Sequence, residues 1–428
     1  MPMLSVPRPA ASASAVLEHI RPGTDIIVPT GNSEPVTVLD AIEAHAAELE
    51  GVRIHQLLAL RDRPHHAGVF GDRLRHVSYF LSAKMREHLE RGTVDLVPND
   101  LSSVPALLRA STTDPLLLVS VSPPDRHGFV SLGTGANYGA ALCGDARVFA
   151  EVNARMPRTT GRNQMHLSGV LGWVEADYPL VSPPPTVIGD DDRAIGRLVA
   201  ERIPDGATLQ IGIGSVPDAV AEALRDHRDL GIHTELFADG LRHLVECGAA
   251  TGAAKSQQRF QAVTTDALGS PELYTFLDDN RHVVFWPADE TNDIRTIAAQ
   301  RKFCAINATM QVDLLGQCAS ESLGTHYVSS TGGQADFMRG AVLSEGGPSF
   351  IVTHSSAVGG TISRIQPTLT PGAVVTSHKN LIDKVVTEYG VAELRGRSIR
   401  QRAEALIGVA HPRFRDSLRV DARRLGYL

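Results

Sequence analysis

The chain has 428 residues, a formal charge of −7, 43% hydrophobic and 21% charged residues. That length exceeds one ordinary hydrophobic core and predicts two or three domains. The composition is that of an ordered globular protein, and the acidic balance argues against a general nucleic-acid or anionic-membrane binder. No apolar run approaches the ~18 residues of a membrane span, and the start, "MPMLSVPRPAASASAV", lacks the apolar core of a signal peptide. The expected location is the cytoplasm. Four scattered cysteines, Cys143, Cys247, Cys304 and Cys318, form no Cys-x-x-Cys pair and are expected as buried free thiols of a reducing compartment.

In chain order, the pattern is α/β throughout. "GTDIIVPTGNSEPVTVLDAIEAHAAEL" (23–49) reads as a strand, a Gly turn, a Pro near the first helical turn, and a helix with Val38, Leu39, Ile42 and Ala46 inward. "LLLVSVSPPDRHGFVSLG" (116–133) is a strand followed by an Asp, a Gly three residues later and a Leu-Gly ending. "YPLVSPPPTVIGDDDRAIGRL" (178–198) holds Pro183, Pro184 and Pro185, which no helix or central strand tolerates. The boundary is therefore placed near 185, giving domains 1–185 and 186–428.

Beyond that boundary the first two patterns return in the same order. "GATLQIGIGSVPDAVAEALRDH" (206–227) gives a strand Leu209–Ile213, a turn at Gly214, Pro217, and a helix with Val220, Ala221 and Leu224 inward. "INATMQVDLLGQCASESLG" (306–324) repeats strand, Asp, Gly at +3 and Leu-Gly. Two ordered recurrences imply two related α/β halves, and a pair of such domains predicts a ligand cleft between them.

Several local features bear on chemistry. The turn at Gly212, Ile213 and Gly214 lacks GxGxxG spacing, and neither half carries GxxxxGK[ST], so a dinucleotide or P-loop site has weak support. Its glycines do offer backbone N–H donors ahead of a helix, suited to an anion or an oxyanion, or they simply make a tight turn. "SSTGGQADFMRG" (329–340) offers a second such loop at Gly332 and Gly333. In "LGIHTELFADG" (230–240), Glu235 ends a short apolar strand before an Asp-Gly turn; an enclosed acid without a partner is costly, so it is either satisfied locally or used. His233 reads as a structural histidine. His65, His66 and His127 show no further ligands at metal-site spacing, so no metal is expected. Ser122, Ser329 and Ser330 lack a G-x-S-x-G elbow, which argues against a serine hydrolase.

The blocks "IGIGSVPDAV", "LGIHTELFADG", "STGGQADF" and "VVTEYGVAELRG" resemble the signatures of the acetyl-CoA hydrolase/transferase family, the single-chain family I coenzyme A transferases, and most of all its 4-hydroxybutyrate CoA-transferase branch. "SVSPPDRHGFVSLG", "AEVNARMPRT", "VDLLGQCASES" and "AHPRFRDSL" extend the resemblance almost end to end. It implies two similar open α/β domains of the NagB/RpiA-like CoA-transferase type with the active site between them. It implies Glu235 as nucleophile, Asn292 in "DETNDIRTI" as a positioning group, and Glu388 in "VVTEYG" beside Glu235. Gly212, Ile213, Gly214, Gly332 and Gly333 are the candidate oxyanion and CoA-binding loops, with Asn153 and Gln334 lining the substrate.

The implied chemistry is attack of the Glu235 carboxylate on an acyl-CoA thioester, then formation of an enzyme–CoA thioester that a second carboxylic acid resolves. A glutamate of ordinary pKa, about 4.3, is ionised at neutral pH and needs no partner base. Orientation in the cleft supplies on the order of 7–11 kcal/mol, and each amide aimed at an oxyanion about 3–4 kcal/mol. The expected reaction moves CoA from an acyl-CoA such as acetyl-CoA to a small acid such as 4-hydroxybutyrate, with no tightly bound cofactor and a homodimeric assembly. The alternatives are an acyl-CoA hydrolase using the same glutamate, and a sugar-phosphate-isomerase-like α/β protein sharing only the architecture. Two departures, Ser330 before the Thr-Gly-Gly and Ala238 in the "FxDG" turn, bear on acyl specificity.

Overall fold

A computed structural model gives the structure of residues 6–428; the first five residues of the Pro-rich start lie outside the described residues. The chain divides into two compact units, one running to Pro183 and taking in Val263–Thr291, the other made of Pro184–Ala262 and Asn292–Leu428.

The first unit is built on seven strands, β1 (Asp25–Val28), β2 (Val52–Gln56), β3 (Leu74–Ser78), β4 (Val94–Leu96), β5 (Leu116–Val121), β6 (Arg147–Asn153) and β7 (Gly172–Ala176). Their order is β7-β6-β5-β1-β2-β3-β4, with every neighbouring pair parallel. Parallel sheets are covered on both faces, so their strands read as continuous apolar runs. In β5 every residue is buried. Leu117, Val119 and Val121 join one core layer, while Leu116 and Leu118 join another with Val38, Leu39 and Ile42 of helix α1 (Val36–Ala44).

The second unit carries β8 (Thr208–Ile211), β9 (Gly231–Ile232), β10 (Phe303–Ala308), β11 (Ser349–Val352), β12 (Lys384–Thr387) and β13 (Gly390–Glu393), ordered β9-β8-β10-β11-β12-β13. All pairs are parallel except the β12–β13 hairpin. Helix α2 (Ser215–Ala223) follows β8, α3 (Asp239–Glu246) follows Glu235, and α4 (Gln334–Leu343) precedes β11. Phe303, Ala305, Phe337, Ile351 and Val385 meet in one buried core. Among the described residues no helix is long and apolar enough to cross a membrane.

Three sequence expectations need correction. Val263–Thr291 packs with the first unit, not with the rest of 186–428. Its strand Val283–Phe285 pairs in parallel with Thr160–Gly161, and Gly161 (φ +131°) permits the approach, since a Cβ there would lie 2.2 Å from the Phe285 carbonyl oxygen. Strand β8 ends at Ile211, not Ile213. The Asp239-Gly240 pair is not a turn but the first turn of α3, entered from extended Ala238. Of the cysteines, Cys304 and Cys318 are buried, Cys143 is partly covered and Cys247 is exposed.

Candidate active site

Parallel strands deliver their following residues to one edge of the sheet, and ligands of open α/β proteins bind outside that carboxyl edge. In the second unit β8 and β9 are parallel neighbours. One leads into Gly212–Gly214, the other through His233 and Thr234 to Glu235. Thr234 Oγ1 reaches the Ile211 carbonyl at 3.5 Å, joining the two strand exits. Lys255 fixes β9 from behind: its buried Nζ donates to the carbonyls of Ile232 (3.0 Å) and Gln261 (2.7 Å), and burial lowers its pKa to about 7.

Glu235 stands at a bend just past β9. The residue is partly exposed, but its carboxyl group is tightly enclosed by protein. Burial raises its pKa to about 7; hydrogen bonds from Asn292 and the Gly333 amide oppose the shift, and the nearby Asp336 carboxylate adds to it. The expectation of a fully ionised glutamate of ordinary pKa is therefore corrected.

Asn292 is fully buried, and its Nδ2 donates to Glu235 Oε2 at 3.2 Å. Gly333, ahead of α4, has an ordinary backbone (φ −95°), so its role is clearance. A Cβ there would fall 1.9 Å from Glu235 Oε2 and 2.3 Å from Asn292 Nδ2. Its neighbour Gly332 takes φ +56°, a left-handed conformation that glycine adopts without cost. Glu235, Asn292 and Gly333 thus form one constellation.

The other candidates make hydrogen bonds of their own. Ile213 is 60% exposed, and Gly214 enters α2 with φ +115°, so this loop is open and glycine-dependent. Glu388 gives its carboxylate to Ser355, accepting from the amide at 2.9 Å and from the hydroxyl, which fixes the loop after β11. Gln334 Nε2 donates to Ser377 Oγ at 3.2 Å. Asn153, in the first unit, is buried and spent locally: Nδ2 donates to the Tyr178 carbonyl at 3.1 Å, and Oδ1 accepts from the Arg155 amide at 3.1 Å. His233 is fully buried against Phe303 and Phe337, the structural position expected of it.

Sequence reasoning missed Asp192, His354 and Asp336. Asp192 Oδ1 accepts from Ser215 Oγ (3.0 Å) at the start of α2 and meets His354 Nε2 (2.8 Å) beside Ser355, tying two strand-exit loops together. Asp336 sits in the first turn of α4, legible only as a carboxylate three residues after Gly333. β3 also brings His76 against both His65 and His66, a proximity that spacing along the chain does not show.

Comparison with known proteins places the chain in a family. Residues 6–183 match the acetyl-CoA hydrolase/transferase N-terminal domain, and 269–422 match the C-terminal domain of the same family. A succinyl-CoA:cyclohexane-1-carboxylate CoA transferase of Geobacter metallireducens is 42% identical, over 95% of this chain and 93% of that protein. A 4-hydroxybutyrate coenzyme A transferase of Clostridium kluyveri is 37% identical over 95% of each. The crystal structure of RipA from Yersinia pestis superposes with a TM-score of 0.93 at 34% identity, over 98% of both chains. Fold and matches together define an enzyme of the CoA-transferase class. The chain belongs to the acetyl-CoA hydrolase/transferase family.

Proposed function

We propose that the protein transfers coenzyme A from an acyl-CoA to a small carboxylic acid by a ping-pong route through a glutamyl-CoA thioester on Glu235. The observation that carries this reading is the enclosed Glu235 carboxylate, raised to about 7 and held by two donors. Enclosure makes the anion more basic than a solvated carboxylate, hence a better nucleophile once ionised.

An oxygen of ionised Glu235 attacks the thioester carbonyl, and the C–S bond breaks to give a mixed anhydride and CoA thiolate. The thiolate adds to the glutamyl carbonyl; its oxygen then carries the developing charge, where the Asn292 Nδ2–H and Gly333 N–H already point. Collapse expels the first carboxylate and leaves CoA on Glu235. A second carboxylate reverses these steps and departs as the new acyl-CoA, so no net proton or electron is exchanged. Coenzyme A is thus a substrate and not a resident cofactor. The names of the relatives suggest succinate, 4-hydroxybutyrate, butyrate and cyclohexane-1-carboxylate as acids to try.

The test is intact-mass analysis of the full chain mixed with acetyl-CoA or succinyl-CoA. The expected result is a CoA adduct that is absent from Glu235→Gln and collapses on adding one of these acids. An adduct that decays equally fast in water alone overturns the transferase reading in favour of hydrolysis, and no adduct at all overturns the covalent route.

A further inference from the structure

We infer that His65, His66 and His76 form a binding site for a divalent transition-metal ion of the zinc class inside the first unit. His65 and His66 lie in the connection after β2, and His76 is the central residue of β3. All three are fully buried. One ring nitrogen from each falls within 4.8 Å of the others, with ring centroids 4.3, 4.5 and 5.3 Å apart. Zinc–imidazole bonds of about 2.0–2.1 Å set nitrogens roughly 3.4 Å apart, so closing on an ion asks each ring to move inward by less than about 1 Å.

The surroundings of His65 and His76 already suit ligands. His65 Nδ1 meets Glu43 Oε1 at 2.7 Å, which leaves Nε2 as a lone pair facing inward with no partner. A carboxylate on the outer nitrogen is the usual support of a metal-bound histidine. Neither ring nitrogen of His76 has a hydrogen-bond partner, nor has His66 Nε2. A mere space-filling residue at the centre of a buried strand would be apolar, since unpaired buried polar atoms destabilise the fold. Burial and mutual proximity hold His66 and His76 well below their ordinary pKa, which supplies the neutral rings that metal binding needs.

His66 is the ligand that must change. Its Nδ1 accepts from the Arg63 amide at 3.2 Å, so the proton sits on Nε2. Binding moves that proton to Nδ1, which gives up its bond from the Arg63 amide and faces Asp62 Oδ1 4.0 Å away, and no proton is released. Charge favours a cation: the Arg63 guanidinium faces the carboxylates of Glu34, Asp40 and Glu43, and Asp62 stands beside His66 and His88. His88, whose buried Nδ1 is unpartnered and whose Nε2 meets Asp62 at 3.4 Å, is the nearest candidate for a fourth position. An ion here would pin the connection after β2 onto β3.

The experiment uses untagged full-length protein, stripped with chelator, incubated with ZnCl2 and gel-filtered before elemental analysis. We expect one zinc per chain in wild type and in Cys247→Ser and His127→Ala, which remove exposed alternatives, and no zinc in His65→Gln or His76→Asn. Cobalt loading should give visible d–d absorption in wild type. Should His76→Asn fail to fold, Glu43→Gln keeps all three rings and should weaken affinity 10- to 100-fold. Less than a tenth of an equivalent of zinc, cobalt and nickel in wild type overturns the proposal, as does full retention in His65→Gln.

Discussion

The two halves repeat one device almost atom for atom. In the first, Asp125 Oδ1 accepts from the amides of His127 (2.8 Å) and Phe129 (2.9 Å), around Gly128 at φ +86°. In the second, Asp313 Oδ1 accepts from Leu315 and Gln317 (3.0 Å each), around Gly316 at φ +87°. Each half also encloses a glutamate whose pKa burial raises, Glu151 in the first and Glu235 in the second. Glu151 is fully buried, held by Thr37 Oγ1, the Val38 amide and the Tyr178 hydroxyl. Glu235 keeps partial exposure beside a glycine that leaves it room. A raised carboxylate is thus common to both halves, whereas clearance and access belong to one.

The sharpest way to break that comparison is to remove each acid in turn. Glu235→Gln should abolish the CoA adduct and reduce exchange by roughly four to six orders of magnitude, the scale of losing a nucleophile. Glu151→Gln should retain the adduct. Enclosure should also show in stability. A carboxyl whose folded pKa lies above its unfolded value disfavours the folded state as pH rises from about 4.5 through about 7. Glu235→Gln should therefore melt higher than wild type at pH 8 and show little difference at pH 4, measured by thermal scans.

The second test turns on clearance. Gly333→Ala places a methyl 1.9 Å from Glu235 Oε2 without backbone strain, and an ångström of displacement at a reacting group costs ~100-fold. We expect kcat to fall at least that far with thermal stability nearly kept. In the first half, Gly128→Ala meets His166 Nε2 at 2.7 Å in a left-handed backbone. It should cost ~1–3 kcal/mol of stability and leave kcat alone. Equal losses of kcat in both variants would remove the distinction.

The third is a smaller effect, read from pH profiles. With free Glu235 titrating at about 7, kcat/KM should rise with pH along an acid limb near that value. Asp336→Asn removes a repulsive carboxylate, so the limb should move to lower pH. Asn292→Ala removes a donor to the anion, so it should move to higher pH. Shifts in one direction for both variants would show that Glu235 is not the group observed.

Much of this was legible in the chain, for reasons that divide cleanly. The Asp-x-x-Gly turns were visible because the geometry needs Asp, then Gly three residues on, whatever the surroundings. The strand-turn-helix units were visible because parallel strands and their helices impose apolar periodicity. Glu235 was singled out because an acid at the end of an apolar strand demands an explanation. What escaped depended on through-space contact. The return of Val263–Thr291 to the first unit rests on the pairing of Val283–Phe285 with Thr160–Gly161, which no local pattern encodes. The raised pKa of Glu235 comes from enclosure and from Asp336, a hundred residues away in sequence. His76 sits ten residues beyond His66, outside any linear ligand spacing, and meets it only through the register of β3.

The smallest expected effect on catalysis concerns Asn153, which matches a family block yet belongs to the half without the reacting acid. Its amide closes the chain after β6: one end holds the Tyr178 carbonyl, the other the Arg155 amide. Replacing it by Ala should leave buried partners unsatisfied and cost ~1–3 kcal/mol, a fall of a few degrees in melting temperature. With its hydrogen-bonding capacity spent on the turn, kcat and KM for every acid should stay within about twofold, since removing a group that touches no substrate leaves transition-state binding unchanged. A rise in KM confined to the carboxylic acid substrate, at unchanged stability, would instead mean that the first half reaches the substrate through this residue, and the division of labour drawn between the two halves would fail at its most conservative point.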